Sequence, residues 1–210
     1  MKLTKYSHAC LVLEDQGFSL VIDPGNFSTD FVVPENVAGV IITHSHADHY
    51  DEGVLHSIIS KNPQAQLYGL DEIADVSKLP ITSVTPGRRI TIGPFELEFT
   101  GGEHATIHPD MKPVGNIGVI VNSNLFYYPG DSFTQPPRHM KWIATPVAAP
   151  WLKISETVEF LRKAAPDYAF PTHDAILSDS GRSLVDRVIS GLINTDIAYK
   201  RISTKESIKL

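Results

Sequence analysis

A stretch of seven residues, from Thr43 to His49, contains four side chains that can bind a metal ion. Three imidazoles and a carboxylate placed this close together repel one another when charged, and a bound divalent cation relieves that crowding. Imidazole and carboxylate ligands suit Zn²⁺, Fe or Mn²⁺ better than Ca²⁺. We therefore interpret the stretch as a metal site and not as a solvated polar turn. Its metal-binding candidates are His44, His46, Asp48 and His49.

The residues just before this stretch predict the element that positions it. Gly39 to Ile42 form a short apolar, β-branched run, which is typical of a buried strand and too short for a helix. Side chains alternate along an extended chain, so the first three candidates start on one side and His49 on the other. A bend at Ala47 and Asp48 would bring all four together.

The order His-x-His-x-Asp-His after a hydrophobic strand resembles the signature of the metallo-β-lactamase-fold hydrolases. That superfamily includes lactonases, thioesterases, phosphodiesterases, nucleases and some redox enzymes. The resemblance implies an α/β (α+β) fold, a four-layer αββα sandwich, formed as a single domain by residues 1–210. The short chain and its Ser-His-Ala-Cys start look most like the lactonase-like branch.

Three further ligands match the family pattern downstream, in order. His104 follows a predicted strand and a pair of glycines and matches the third histidine of the first metal site, with His108 as its rival. Asp131, in a Gly-Asp-Ser step, matches the aspartate that touches both metals. His173 stands at the end of a short apolar strand and matches the last ligand of the second site.

Transferred residue by residue, the resemblance implies two divalent metal ions, with Zn²⁺ as the expected metal and Mn²⁺ or Fe as alternatives. The first ion would be held by His44, His46 and His104, the second by Asp48, His49 and His173, and Asp131 would bridge them.

The implied function is a metal-dependent hydrolase that uses a metal-bridging hydroxide to cleave a small ester, lactone, thioester or phosphodiester. Asp48 is a ligand and also the expected partner for the proton of the hydroxide. His108 is a second catalytic candidate, as proton donor to a leaving group, with His8 as the alternative donor. The alternatives are a nuclease-type phosphodiesterase of the same superfamily and a non-catalytic metal-binding or sensing module.

Two roles remain open for each of His8 and Asp23, whereas Cys10 has one interpretation. His8 is either a structural histidine or part of the substrate pocket. Asp23 ends an apolar strand; the resemblance implies that it supports the metal loop by orienting histidines, whereas Asp before Pro-Gly also starts turns. Cys10, in an apolar run, is interpreted as a small core residue.

The segment from Gln135 to Trp151 is rich in proline and is predicted to be irregular, as a wall over the metals, except for a strand expected at Ile143 to Val147. Trp142 and Trp151 either shape the substrate site or belong to the core. Arg138 and Lys153 are the candidates for holding an anionic substrate, although isolated cations are usually solvated.

Local patterns predict strands and helices along the whole chain. A helix is expected from Asp51, its N-cap, to Lys61, because Val54, Leu55, Ile58 and Ile59 form an apolar stripe. A short helix is expected at 71–78, and a strand-like tail at 197–203.

Composition limits the partners. With 210 residues and 42% hydrophobic content, the chain can bury a sizeable core, and its formal charge of -6 disfavours nucleic acid. A single cysteine points to a reducing compartment. We find neither the apolar region of a signal peptide nor a run of ~20 apolar residues. We therefore expect a cytoplasmic enzyme with a small-molecule substrate and no membrane or nucleic-acid partner; the oligomeric state is left open.

Overall fold

Two seven-stranded β-sheets lie at the centre of the protein in the computed structural model, which describes residues 1–210. The first sheet has the spatial order β14 (Ser207–Lys209), β1 (Lys2–Lys5), β2 (Leu11–Asp15), β3 (Phe18–Ile22), β4 (Val37–Ile41), β5 (Gln66–Gly69) and β6 (Ile81–Ser83). The second has the order β13 (Ala198–Tyr199), β12 (Tyr168–Thr172), β11 (Trp142–Pro146), β10 (Phe126–Tyr128), β9 (Gly115–Val121), β8 (Phe95–Glu103) and β7 (Arg89–Ile92).

The two sheets have the same internal arrangement. In the first, β14 to β3 pair antiparallel and β3 to β6 pair parallel. In the second, β7 to β10 pair antiparallel and β10 to β13 pair parallel. Parallel strands need both faces covered, so this arrangement requires helices on the outside of each sheet.

Alternating side chains divide the core into layers. Leu11 and Leu13 of β2 point to the space between the sheets, where they join Phe95 and Phe99 of β8, whereas Val12 points outward. This two-residue period is what an extended chain dictates. The inner layer is the largest hydrophobic cluster, with 21 buried residues, so contact between the sheets holds the fold together.

Four helices cover the outer faces. α1 (Glu52–Lys61) and α2 (Asp71–Ala74) pack on the first sheet, and α3 (Ile154–Ala164) and α4 (Asp179–Leu192) pack on the second. None of the four has the length and apolar character needed to span a membrane. The predicted four-layer αββα sandwich is therefore confirmed.

Helix α1 begins as predicted, because the carboxylate of Asp51 accepts a hydrogen bond from the Val54 backbone N–H at 2.9 Å. Two other predictions are wrong in part. The helix expected at 71–78 ends at Ala74, and the strand expected at 197–203 is limited to Ala198–Tyr199. The chain then crosses to the first sheet, where Lys209 pairs with Lys2. Pairing of the two chain ends is a long-range contact, which no local pattern reveals.

Candidate metal centre

Strand ends of both sheets position the side chains that could bind metal. Asp23 follows β3, and His44 lies three residues after the end of β4. On the second sheet, His104 follows β8, Asp131 follows β10 and His173 follows β12 directly. In α/β sheets, ligand sites form where parallel strands reach their carboxyl ends.

The first group of metal-competent side chains consists of His44, His46 and His104. Their ligand atoms all lie within 4.8 Å of one another. Asp131 stands beside this group, with its Oδ2 3.4 Å from His104 Nε2 and 3.9 Å from His44 Nε2.

The second group consists of Asp48, His49 and His173 together with His8, which is outside the expected ligand set; the group's ligand atoms all lie within 4.8 Å of one another. Asp48 Oδ2 lies 3.3 Å from His173 Nε2 and 3.8 Å from His49 Nε2. Asp131 also reaches this group, at 3.3 Å from its Oδ1 to His49 Nε2 and 3.0 Å from its Oδ2 to His173 Nε2. The structure thus brings all seven residues of the expected ligand set together, with Asp131 between the two groups. We call these seven residues the histidine cluster.

Asp23 orients two of the histidines. It accepts a hydrogen bond from His49 Nδ1 at 2.7 Å, and the same oxygen accepts one from the Thr43 hydroxyl at 2.7 Å. With the Thr43 proton used in this way, its oxygen can accept the Nδ1–H of His44, at 3.0 Å. Both rings therefore keep Nε2 free to face the cluster. Asp23 holds the positions of these rings without being in the expected ligand set.

Backbone carbonyls orient two more rings. His104 Nδ1 lies 2.5 Å from the oxygen of Ala105, and His173 Nδ1 lies 2.6 Å from the oxygen of Ala148. A carbonyl oxygen only accepts, so Nδ1 carries the hydrogen in both rings and Nε2 is left to bind.

Five buried atoms of the histidine cluster have no hydrogen-bond partner. Buried polar atoms in folded proteins are nearly always paired, and each unpaired one costs about 1–3 kcal/mol. Nitrogen and carboxylate oxygen atoms that converge in this way match the donor set of a transition-metal ion. The residues present therefore fit a metal centre. The five atoms are the Nε2 atoms of His44, His49, His104 and His173, and Oδ1 of Asp131.

Charges within the cluster are strongly coupled. Burial raises the pKa of Asp131, but the charge on His49 and the close contacts with His104 and His173 hold that pKa well below its usual range. Burial lowers the pKa of His173, but contacts with Asp131 and Asp48 raise it to about 10. An ionised carboxylate thus faces a protonated imidazole. Metal binding at this site must displace protons, so it competes with them.

Two glycines and an asparagine complete the backbone around the cluster. A Cβ on Gly25 would lie 2.0 Å from the backbone carbonyl of Asp48, so only glycine allows this close approach. Gly130 has φ +65°, and Asn116 accepts the N–H of Asp131 at 2.9 Å and donates to the oxygen of Pro129 at 2.8 Å. Asn116 is not predicted from the sequence, since a lone asparagine at a strand start carries no distinguishing signal.

His8 contacts the cluster through Asp48. Its side chain is fully buried, its Nε2 lies 2.9 Å from Asp48 Oδ2, and its Nδ1 accepts the N–H of Ala175 at 3.4 Å. With Nδ1 accepting, Nε2 carries the proton and donates it to Asp48. Burial raises the pKa of Asp48, but the close contact with His173 and the hydrogen bond from His8 hold that pKa well below its usual range. These contacts support the structural reading of His8, because a fully buried ring whose two nitrogens are used has no face for a substrate.

The two tryptophans have different positions. Trp151 lies at the site: its indole N–H donates to Asp131 Oδ2 at 3.3 Å, and its ring centre is 5.6 Å from that of His104. Trp142 stacks on Tyr168 at 4.3 Å and packs against the inter-sheet core. One tryptophan is therefore a wall of the site and the other is structural.

The opening of the site lies beside His46 and His104. A cavity of about 130 Å³ borders these two rings and is lined otherwise by residues 105–108 and 111–114. His108 lies there with 62% of its side chain exposed and accepts the N–H of Asp110. It is therefore at the rim of the cavity and outside the two metal-competent groups.

The cations proposed to hold an anionic substrate do not contact the cluster. Arg138 pairs with Glu98 at 2.7 Å in a separate cavity of about 430 Å³ on the outer face of the second sheet. Lys153 is the N-cap residue of α3.

Cys10 is a buried free thiol, as expected for a core residue.

The sequence matches the family described as the beta-lactamase superfamily domain over residues 2–173. Protein Rv0786c of Mycobacterium tuberculosis is 34% identical over 200 residues, which cover 93% of this chain and 94% of that protein. A UPF0173 metal-dependent hydrolase of Aeropyrum pernix is 38% identical over 150 residues, which cover 62% of this chain and 61% of that protein. Among solved structures, Igni18, a metallo hydrolase from Ignicoccus hospitalis, matches with a TM-score of 0.74 at 19% identity, covering 99% of this chain and 97% of its own.

Proposed function

The chain belongs to the beta-lactamase superfamily as a metal-dependent hydrolase, and we propose that it uses two divalent metal ions to cleave a small ester, lactone, thioester or phosphodiester. The observation that carries the proposal is the set of five buried, unpartnered atoms that converge in the histidine cluster. Two groups of ligand atoms share Asp131, which supports two ions and not one.

Each ion would have three ligands besides the shared one. The nitrogen-rich donor set favours Zn²⁺, with Mn²⁺ and Fe as alternatives. The first ion would be held by His44, His46 and His104, the second by Asp48, His49 and His173, and Asp131 would contact both.

When bound, the ions supply a water nucleophile at neutral pH and a Lewis acid for the scissile carbonyl or phosphoryl oxygen. Asp48 is ionised, because its pKa lies well below the usual range, and 21% of its side chain is exposed, so it can orient that water and accept its proton. His8 holds Asp48 in place through a hydrogen bond of 2.9 Å. Trp151 holds Asp131 through a hydrogen bond of 3.3 Å.

The rim of the site offers a contact for an apolar part of the substrate. Ile107, Met111 and Val114 line the cavity of about 130 Å³ beside His46. The reduced, buried thiol of Cys10 suits a cytoplasmic location.

His108 is our candidate for protonating the leaving group, because it lies at this rim. If it does so, His108→Ala lowers kcat for an alkyl ester, whose alkoxide needs a proton. The same change leaves kcat unchanged for a p-nitrophenyl ester, whose leaving group needs none. Equal kcat values for wild type and variant on the alkyl ester would remove His108 from the mechanism.

Metal content per chain tests the proposal directly. The protein is purified without chelator or added metal and examined by elemental analysis, then assayed against esters, lactones, thioesters and phosphodiesters. About two equivalents of Zn, Mn or Fe with turnover of one class is the expected result. One reproducible equivalent would indicate a mononuclear enzyme, and metal without any turnover would favour a binding module. No uptake on reconstitution would refute the metal centre.

A further inference from the structure

A network of charged side chains surrounds Asp174, the residue after His173; Lys5 and Asp174 are buried, whereas Arg201 and Asp186 are partly exposed. Lys5 is 1% exposed and its Nζ lies 3.1 Å from Asp174 Oδ1, while the Arg201 guanidinium contacts Asp174 Oδ2. Arg201 also holds Asp186 with two contacts, Nε to Oδ2 at 2.6 Å and Nη2 to Oδ1 at 2.8 Å. The hydroxyl of Tyr199 donates to Asp186 at 2.8 Å. We call these five residues the ion network.

Every charge in the ion network has an opposite partner. Two cations, Lys5 and Arg201, face two carboxylates, Asp174 and Asp186, so their formal charges cancel. Buried charges are tolerated when they are paired and hydrogen-bonded in this way. The network therefore offers no free charge to a ligand, and its effect must be on the residues that it holds.

The residue that it holds most directly is His173. His173 has φ +57°, in the left-handed region that side-chain-bearing residues rarely adopt. Such a conformation persists only when the surroundings enforce it. The His173 N–H donates to the carbonyl of His8 at 3.0 Å, and the N–H of Ala175 donates to the His8 ring at 3.4 Å. Between these two contacts, the chain is fixed by the Asp174 side chain.

Asp174 joins three parts of the fold at this point. Lys5 belongs to β1 of the first sheet, Asp174 follows β12 of the second sheet, and Arg201 follows β13. The contacts of Asp174 therefore fix the end of β12 against β1 of the first sheet and against the segment that follows β13. Arg201 and Asp186 also lie beyond residue 173, where the match to the superfamily ends.

We propose that Lys5, Asp174 and Arg201 act as positioning residues for His173 and thereby set the affinity of the second metal ion. This inference rests on the two-metal centre proposed above. If the carboxylate of Asp174 is lost, the backbone of His173 can relax toward a common conformation. Its Nε2 then moves from its place 3.3 Å from Asp48 and 3.0 Å from Asp131. The ligands of the first ion, which follow β4 and β8, keep their positions.

Stepwise metal binding tests the proposal. Metal-free wild type, Asp174→Asn, Arg201→Met and Lys5→Met are titrated with Zn²⁺ against a chromophoric chelator, which yields two dissociation constants for each protein. In each variant, the dissociation constant of the second metal ion should rise about 10–100-fold, which is the range for loss of a residue that orients a ligand. The dissociation constant of the first ion should be unchanged. Arg162→Met is the matched control, because Arg162 forms an ion pair with Glu159 and a hydrogen bond to the oxygen of Leu192, away from the cluster.

The outcomes separate this inference from the proposal on which it rests. A wild-type chain that takes up fewer than two equivalents contradicts the two-metal centre and with it the inference. Two equivalents in wild type, with both constants unchanged or equally weakened in Asp174→Asn, contradict the inference alone. If Arg201→Met does not fold, Arg201→Lys keeps a cation beside Asp174 but loses the forked contact with Asp186, and a smaller rise in the same constant is expected.

Discussion

The histidine cluster and the ion network are neighbours, joined by the peptide bond between His173 and Asp174, and each combines buried with partly exposed side chains. They differ in hydrogen bonding. Five atoms of the histidine cluster have no partner, whereas all the charges of the ion network are paired. Because an unpaired buried polar atom costs about 1–3 kcal/mol, the first arrangement is explained by a ligand and the second needs none. The convergence of several unpaired ligand atoms on one place thus distinguishes the binding site from its support, although aspartates belong to both.

The largest effect is expected for Asp48→Ala, which removes a ligand and the proton acceptor together. Hydrolysis should fall below about 1% of the wild-type kcat/KM, since loss of a merely orienting residue already costs 10–100-fold. Glu98→Gln is the control, because Glu98 is a carboxylate paired with Arg138 on the outer face of the second sheet. Full activity of Asp48→Ala would refute the mechanism.

The next effect separates the two metal sites. His173→Ala should leave the protein with one metal equivalent in place of two, because the first group of histidines is intact. Elemental analysis after dialysis measures this directly. An unchanged metal count would show that His173 is not a ligand. Comparing His173→Ala with Asp174→Asn then shows how much of the effect of the ion network on metal binding is exerted through the His173 imidazole.

The two regions also differ in how far sequence predicts them. The seven residues of the histidine cluster were identified from the local spacing at positions 44–49 and from the order of His104, Asp131 and His173 in a family pattern. The sandwich itself followed from the same resemblance. These features are readable because they are local or ordered along the chain.

The ion network was not predicted, and the reason is physical. Lys5, Asp174 and Arg201 are far apart in sequence and meet only because β1, β12 and the segment after β13 converge. Lysine in a strand is normally solvated, and nothing in its neighbours indicates that Lys5 is 1% exposed. Ion pairs between residues far apart in sequence, like the pairing of β14 with β1, form only in the folded chain. No local sequence pattern predicts them.

A smaller effect is expected on the pH dependence of the metal-free chain. His173 has its pKa raised to about 10, above the value of about 6.5 in an unfolded chain. Its contribution to stability is therefore fully present below pH 6.5 and is lost as the pH rises toward 10. Unfolding by urea should show a loss of a few kcal/mol at most across this window, at about 1.4 kcal/mol per pKa unit.

Two comparisons check that interpretation. The metal-loaded protein should lack the loss, because the ion replaces the proton, and metal-free His173→Gln should lack most of it. If metal-free wild type is equally stable at pH 6.5 and pH 9, the coupling between His173 and the two carboxylates is weaker than the distances of 3.0 and 3.3 Å indicate.

The smallest effect concerns the wall of the histidine cluster. Trp151→Phe keeps an aromatic ring near His104 but removes the N–H that donates to Asp131. A hydrogen bond to a charged group contributes about 1.5–3 kcal/mol when both partners are buried, and less here because the contact is 3.3 Å long, so we expect a loss of about fivefold in kcat/KM. Trp142→Phe is the matched control, since the Trp142 N–H has no partner and its loss breaks no hydrogen bond. If both variants lose activity equally, the effect is one of packing and not of the contact with Asp131. A loss of activity confined to Trp151→Phe would show that the hydrogen bond from Trp151 to Asp131 contributes to catalysis.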